Sequence, residues 1–426
     1  MDDLELSLFR NKKEALIFFL GLAIIFFVNI TIKFLNYQEF KAKKYHQTNA
    51  IVLKVFHKIS KRGKKYHILK LQDKSGERFF AVSWQKNLEN LASDEITLRV
   101  KTDKIGFYDY LKGFFAPAYG IKVIKRLTDP KTTISNFIKD QHPDKELKKF
   151  FSALFLGTSI SKSLREKIQS YGISHLVAIS GFHLGVLSAI FYFLLSLVYK
   201  VFQDRYFPYR NIKIDLSVAV FFLLFCYLYI VGFMPSLVRS FVMLLFGYIL
   251  YIRHIKVVSF EMIVLTVVFL VSLFPELLFS ISFWFSISGV FYIFLFLKYF
   301  SYLKKWQIFL LLNFWVFFMM MPIVHFVFGG FCPLQLLCIP LSVVFVLFYP
   351  FELLVHLLNM GDILDWALLK LFHTGCHMVD VKTPFWFFVS FILLSILSAY
   401  RKLFLYMLIV CDLLFFFFLL YRYAFG

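Results

Sequence analysis

Along most of the chain, long apolar blocks alternate with short polar breaks. Ala15–Ile32 is the first block, and Arg10, Lys12 and Lys13 precede it. From residue 174 onward the blocks follow closely, at 174–199, 212–232, 236–252, 257–274, 277–297, 306–328, 333–350, 384–399 and 403–421. Each meets or approaches the roughly 20 residues that a helix needs to cross about 30 Å of hydrocarbon. The pattern predicts a polytopic α-helical membrane protein of about nine or ten spans. Residues 351–373 differ, because Glu352, His356, Asp362 and Asp365 interrupt their leucines. An interfacial or re-entrant helix is expected there.

Between the first and second blocks the period falls to two. Ala50–His57, Lys64–Leu71, Glu77–Trp84, Asp94–Lys101 and Tyr119–Leu127 read as strands, and Asp73-Lys74-Ser75-Gly76 is a hairpin signal between the second and third. Short strands in this number predict an inserted small all-β domain, an OB-like barrel. Lys131–Phe155 reads as a helix leading back to the membrane. The expected organisation is a cytoplasmic N-terminus and first transmembrane helix (1–36), a basic OB-like extracytoplasmic domain (37–127), and a helical connector (128–173). A channel-forming transmembrane core (174–350) follows, then an interfacial helix and C-terminal transmembrane helices (351–426).

Composition agrees with the pattern. Apolar and aromatic residues make up 60% of the chain, against about 45–50% in soluble globular proteins. Disorder is excluded. The five Cys (Cys226, Cys332, Cys338, Cys376, Cys411) lie in or beside apolar blocks. They read as inert small hydrophobes rather than a disulfide framework.

Charge changes the picture more. The net charge is +21, and residues 37–150 carry 25 Lys/Arg against 12 Asp/Glu, hence +13. The remaining 22 against 14 gives +8, much of it in short loops. No small-x-small cleavage site follows the first block, so it reads as an uncleaved anchor that leaves the cytoplasm. Lys200, Arg205, Arg210 and Lys213, then Arg253 and Lys256, then Lys298, Lys304 and Lys305 fall on the inside, while the turns at Gly232–Ser236 and Gly329–Pro333 lack Lys and Arg. The basic domain is thereby expected outside, where a polyanion would arrive.

The densest polar cluster within a span is Ser174-His175-Leu176-Val177-Ala178-Ile179-Ser180-Gly181-Phe182-His183. On an unbroken helix His175, His183 and Ser180 fall at about 0°, 80° and 140°, one polar stripe. Ala178, Gly181, Gly185 and Ser188 form a small-residue face opposite, suited to helix packing. Ionisable groups in a span are functional candidates, although both His also read as side chains bonded to nearby backbone. Arg239, after Pro235-Ser236, either snorkels to the interface or contacts phosphate in a passage. Interfacial solvation accounts for Glu276. In the basic domain Lys58, Lys64, Lys65, Tyr66, Arg78, Phe80, Trp84 and Lys86 interleave cations with aromatics, a combination suited to single strands but also to a strand core. Phosphate-loop, His-Glu-x-x-His and Cys-x-x-Cys motifs are absent, so no cofactor, metal or ATP motor is expected in the chain.

Phe155-Leu156-Gly157 through Leu164-Arg165 and then Tyr171-Gly172-Ile173-Ser174-His175 through Gly185 resemble the ComEC family of bacterial competence proteins. Pro235-Ser236-Leu237-Val238-Arg239, the Pro322–Pro340 stretch, Gly106–Leu111 and Gly120-Ile121 resemble further family elements, over roughly residues 45–350. Ser282-Phe283-Trp284-Phe285-Ser286 departs from the family's Gly-Phe-Gln-Leu-Ser. The metallo-β-lactamase-like domain of longer members has no counterpart in this sequence.

The resemblance implies an inner-membrane channel, not an enzyme, that admits single-stranded DNA during natural transformation. His175, Ser180, Gly181, His183 and Arg239 would line it, and Ala178, Gly185 and Ser188 would pack it. Expected partners are single-stranded DNA, membrane lipids, a periplasmic DNA receptor, a cytoplasmic ATP-driven DNA motor supplied by another protein, and a second copy as a homodimer. The alternatives are a polytopic enzyme using Ser180 with His183 or His175, and a small-solute transporter.

Overall fold

The computed structural model describes residues 11–60, 64–73, 76–85, 88, 94–125, 130–252 and 260–425. The chain begins with α1 (Lys12–Lys41), followed by β1 (Tyr45–Ile59), β2 (Lys65–Asp73), β3 (Arg78–Ser83), β4 (Glu95–Lys101), α2 (Phe107–Lys112) and β5 (Phe115–Lys125). A helical connector comprises α3 (Pro130–Asp140), α4 (Lys145–Leu156), α5 (Lys162–Ser170) and α6 (Ser174–Val177). Next come α7 (Gly181–Tyr206), α8 (Ile212–Val231), α9 (Pro235–Ile252), α10 (Phe260–Leu273), α11 (Ile281–Phe300) and α12 (Lys305–Val327). The last elements are β6 (Gly330–Phe331), α13 (Cys338–Leu357), α14 (Asp365–His373), β7 (Val379–Asp380), α15 (Phe385–Ser398) and α16 (Lys402–Phe425). Among the described residues seven helices are long and apolar enough to cross a membrane, and three shorter apolar ones accompany them. This is a multi-pass helical membrane protein with an inserted β domain.

The fold divides into two compact units, residues 7–133 with 264–283, and residues 134–263 with 284–426. In the smaller unit β1-β2-β3-β5-β4 close a barrel. All pairs are antiparallel except β3 with β5. Alternation decides what faces inward. Leu69 and Leu71 of β2, Phe79 and Ala81 of β3, and Ile96 and Leu98 of β4 are buried inside it. Of the hairpin signal, Lys74 and Ser75 lie outside the described residues, and on either side of them Asp73 Oδ1 accepts from the Glu77 N–H at 2.9 Å. The expected small β barrel is present, while β1 and β5 each start earlier than the sequence suggested. Closing the barrel end, α2 places Tyr110 against Phe40 and Tyr37 of α1. Asn29 of α1 donates to the Ser272 carbonyl at 2.8 Å, and Lys33 pairs with both Glu77 (2.8 Å) and Glu276 (3.4 Å). Glu276 is therefore an ion-pair partner rather than simply a solvated interfacial residue.

The larger unit has two chemically different ends. At one, Lys298 of α11 donates to the Ala399 carbonyl at 2.6 Å, beside the α15–α16 turn that carries Arg401 and Lys402. At the other, β6 pairs antiparallel with β7, and Cys332 is disulfide-bonded to Cys376. The Tyr423 hydroxyl lies 3.5 Å from the Cys376 sulfur. Two of the five Cys are thus a covalent staple and not inert hydrophobes. Their 44-residue separation leaves no spacing signal in the sequence.

Two expected helices are broken. The connector predicted as one helix over Lys131–Phe155 stops at Asp140 and restarts at Lys145. Pro143 disfavours helix at His142, and the Asp144 carboxylate caps the new start by accepting from Glu146 N (2.7 Å) and Leu147 N (3.0 Å). The 174–199 block is interrupted at Ala178–Ser180. Conversely, α13 continues through Pro350 to Leu357, past the expected end of that span. The Tyr171 hydroxyl donates to the Leu371 carbonyl at 2.6 Å, while its neighbour Gly172 lies against Cys338 and Gln335. The start of α13 and the end of α14 consequently lie together, and the 338–374 segment turns back on itself.

Candidate functional site

The site is built around the break between α6 and α7. Ile179 turns inward and packs with Leu184, Leu187 and Leu237. Ser174, His175, Ala178 and Gly181 remain on the exposed side. Ser180 is the N-cap of α7. Its backbone N–H donates to Nδ1 of His183 at 3.2 Å, and its hydroxyl lies 3.2 Å from the same nitrogen. Because Nδ1 accepts the backbone proton, the ring hydrogen of neutral His183 sits on Nε2. His183 is fully buried, and its ring meets that of Tyr349 edge-to-face at 4.6 Å between centroids. Among the described residues Nε2 has no hydrogen-bond partner.

The break corrects the stripe drawn on an unbroken helix. His175 lies on a separate short turn, where its Nδ1 is 3.2 Å from the Gly172 carbonyl oxygen. It is not on the helical face of Ser180 and His183. The small-residue face dissolves as well. Ala178 sits in the break, a Cβ on Gly185 would meet nothing within 4 Å, and the Ser188 hydroxyl bonds to the Gly185 carbonyl at 2.8 Å. Gly181 faces a neighbouring helix, where a Cβ would lie 3.3 Å from Ser240 Oγ. Arg239 precedes that serine on α9 and is buried at 6% exposure, which excludes a side chain snorkelling freely into solvent.

Two glycines explain why the surrounding sequence is so specific. Gly157 ends α4 with φ +63, and a Cβ there would collide with Met234 Sδ. The Phe155 carbonyl, two residues earlier, accepts the Tyr227 hydroxyl at 2.8 Å. Gly172 has φ +69, and a Cβ there would lie 3.3 Å from Cys338 Cβ. Both positions combine a left-handed backbone with close approach, which only glycine supplies without strain.

In the barrel, Tyr66, Arg78, Phe80 and Trp84 project outward from β2, β3 and the end of β3. Lys70 pairs with Phe80 across β2–β3, and Phe80 pairs with Phe115 across β3–β5. The Phe80 and Phe115 rings stack at 4.5 Å, Lys70 Nζ lies 5.8 Å from the Phe80 centroid, and Tyr66 and Trp84 are 6.0 Å apart. Trp84 is 56% and Phe115 61% exposed. Sequence reasoning missed Lys70 and Phe115, because their place beside Phe80 depends on strand pairing. Partial burial lowers the pKa of Lys70 and of Arg78. Lys64 and Lys65 are exposed at the start of β2. The side chain of Lys58, the whole of Lys86, and Arg253 and Lys256 lie outside the described residues.

Among the described residues no group of three or more His, Cys, Asp or Glu is arranged to hold a metal ion. The serine-nucleophile alternative has its first contact in Ser180 and His183. Such a pair also needs a group that orients the base, and among the described residues His183 Nε2 has none.

The description "Competence protein" belongs to the family model that matches residues 154–423. The chain belongs to this family. The match includes the broken helix, Arg239 and the disulfide-linked end, extends well past residue 350, and leaves the barrel outside. No curated protein and no solved structure matches the chain. Family and membrane helices together give the protein a role in DNA uptake at the membrane.

Proposed function

We propose that this competence protein is the inner-membrane channel through which single-stranded DNA enters the cytoplasm. The observation that carries the reading is the break at Ala178–Ser180, inside the family-matched region. Non-helical backbone at membrane depth is tolerated where it is buried in protein or lines a water-filled cavity. Here the break exposes Ser174, His175, Ala178 and Gly181 on one side and buries Ile179 on the other. The channel reading treats the exposed side as the passage wall and His183 as the residue that fixes the break. The protein would transport rather than catalyse.

The barrel supports the DNA part. Its outer face offers aromatic rings for base stacking beside Lys70 and Arg78 for phosphate, the chemistry of a single-strand platform. An extracytoplasmic barrel is supported within the smaller unit, where Tyr108 of α2 contacts Phe279 at 5.0 Å, in the turn before α11. That turn lacks Lys and Arg, as outside turns do. In the larger unit the Lys298–Arg401 end has the inside character, and the disulfide suits an oxidising outside compartment.

The test is protection of imported DNA in a strain carrying a deletion of this gene. DNA that reaches the periplasm but never becomes protected in the cytoplasm is expected, with rescue by the wild-type chain. Normal cytoplasmic protection in the deletion strain would exclude the channel.

A further inference from the structure

Apart from the broken helix and the barrel, the larger unit holds a chain of titratable groups. It runs through three elements: the α3–α4 turn, α13 and α14. Asp365 Oδ1 lies 2.9 Å from His142 Nδ1. His142 Nε2 lies 3.0 Å from His356 Nε2. His356 Nδ1 lies 2.7 Å from the Glu352 carbonyl oxygen and 3.3 Å from the Glu352 carboxylate. All four residues are buried, Glu352 completely, and neither Glu352 carboxyl oxygen has a hydrogen-bond partner among the described residues.

Counting hydrogens decides what this geometry needs. The three contacts, Asp365 to His142, His142 to His356 and His356 to the carbonyl, each require one proton. Two neutral imidazoles supply two. Without a third, one contact sets two lone pairs against each other at 3 Å or less, a costly arrangement away from water. With it, every contact is a hydrogen bond, and the proton can reside on Asp365 or on the imidazole pair. In the second case Glu352 is a buried counter-ion 3.3 Å from the ring.

Aromatic rings and a glutamine pack around the chain. The Phe151 ring of α4 stacks on His142 at 4.3 Å, and Phe155 lies edge-on to His356 at 5.0 Å. Gln141 donates to the His356 carbonyl at 3.1 Å and accepts from Gly361 N at 2.9 Å, and a Cβ on Gly361 would fall 2.8 Å from His356 Nε2. The charged groups that act on the chain are Glu352 and His356 from α13, His142 from the α3–α4 turn, and Asp362 and Asp365 at the start of α14.

We propose that Asp365, His142, His356 and Glu352 form a proton-binding site that holds one exchangeable proton beyond the two neutral imidazoles and passes it along the line between Asp365 and the His356–Glu352 end. Burial raises the Asp365 pKa and lowers that of His142, which favours the proton residing on Asp365. Two of the three bonds join the connector to α14 and to α13, and the third lies within α13; where deprotonation breaks one of the first two, proton release loosens this contact. The inference does not depend on what the channel carries.

The experiment is nitrogen NMR on the full chain with labelled histidine in lipid nanodiscs. A scalar coupling between Nε2 of His142 and Nε2 of His356 across the N–H···N bond is expected, and its complete loss in His142→Gln. A pH titration should show both rings responding in one coupled transition. The shape-conserving Glu352→Gln keeps the coupling and shifts the transition. Two independently titrating rings with no coupling would overturn the proposal. So would a stoichiometric metal ion, measured by elemental analysis, that His142→Gln removes. An unshifted transition in Glu352→Gln would overturn the counter-ion role.

Discussion

The backbone N–H of Ser180 donates to Nδ1 of His183 at 3.2 Å, and this bond holds the chain where α6 stops and α7 starts. The histidine imitates a capping box, in which the third helical residue reaches back to the cap. Its position follows from the break and not from a polar stripe.

His183→Ala removes this acceptor and leaves a void beneath Tyr349. Loss of this hydrogen bond costs about 0.5–1.5 kcal/mol. Transformation frequency should fall by orders of magnitude while the protein still inserts, as read by membrane fractionation. Ser180→Ala keeps the backbone donor and should retain most transformation. Equal loss in both variants would point to the serine hydroxyl, and hence to the catalytic alternative.

Gly157→Ala introduces a side chain at φ +63 against Met234. The left-handed backbone alone costs on the order of 1–3 kcal/mol. The thermal unfolding midpoint of the purified protein should drop. Adding Met234→Ala should recover part of the loss, because it removes the collision but not the backbone strain. Full recovery would mean that the collision dominates.

The Cys332–Cys376 bond spans 44 residues, for which the chain-entropy relation gives about 4 kcal/mol. Both thiols should resist alkylation until reduction, while Cys226 and Cys411, which are half-buried and free, differ in not requiring it. Cys332→Ser, Cys376→Ser and the double variant should destabilise the protein equally, since each removes the same bond. A double variant clearly worse than either single one would refute this pairing.

Trp84→Ala and Phe115→Ala should each weaken binding of a short single-stranded oligonucleotide to the full chain in nanodiscs. Losing one stacked base corresponds to about 1–3 kcal/mol, or roughly 5- to 150-fold. Lys70→Ala should lower the salt dependence of binding. If the aromatic variants bind as tightly as wild type, the β2–β3–β5 face is not the DNA platform.

Glu146 accepts from Lys167 at 2.7 Å, and this bond lowers the Glu146 pKa. A depressed carboxylate stabilises the fold above its unfolded pKa, and that contribution disappears as pH falls through the lower folded value. Both side chains are about one-third exposed, so the effect is small, below about 1 kcal/mol. Glu146→Gln should lower the unfolding midpoint slightly at neutral pH and leave it unchanged in strong acid.

The order of membrane helices was legible in the sequence because lipid imposes a local rule. A segment that must cross hydrocarbon needs a run of apolar residues, whatever its neighbours are. The barrel strands followed from a period of two in the same way, and the family followed from the run between Gly172 and Gly185. What the sequence left undetermined depends on which distant segments meet. His142 and Asp365 lie 223 positions apart, and Cys332 and Cys376 carry no spacing signature. Lys70 joins Phe80 and Phe115 only once three strands have found their register. The break at Ala178–Ser180 combines packing of Ile179 into the α7–α8–α9 core with the Ser180–His183 bond, and together they outweigh the local preference for a continuous helix. Periodicity reports what each segment must hide from its surroundings, and tertiary packing decides which polar groups are then hidden together.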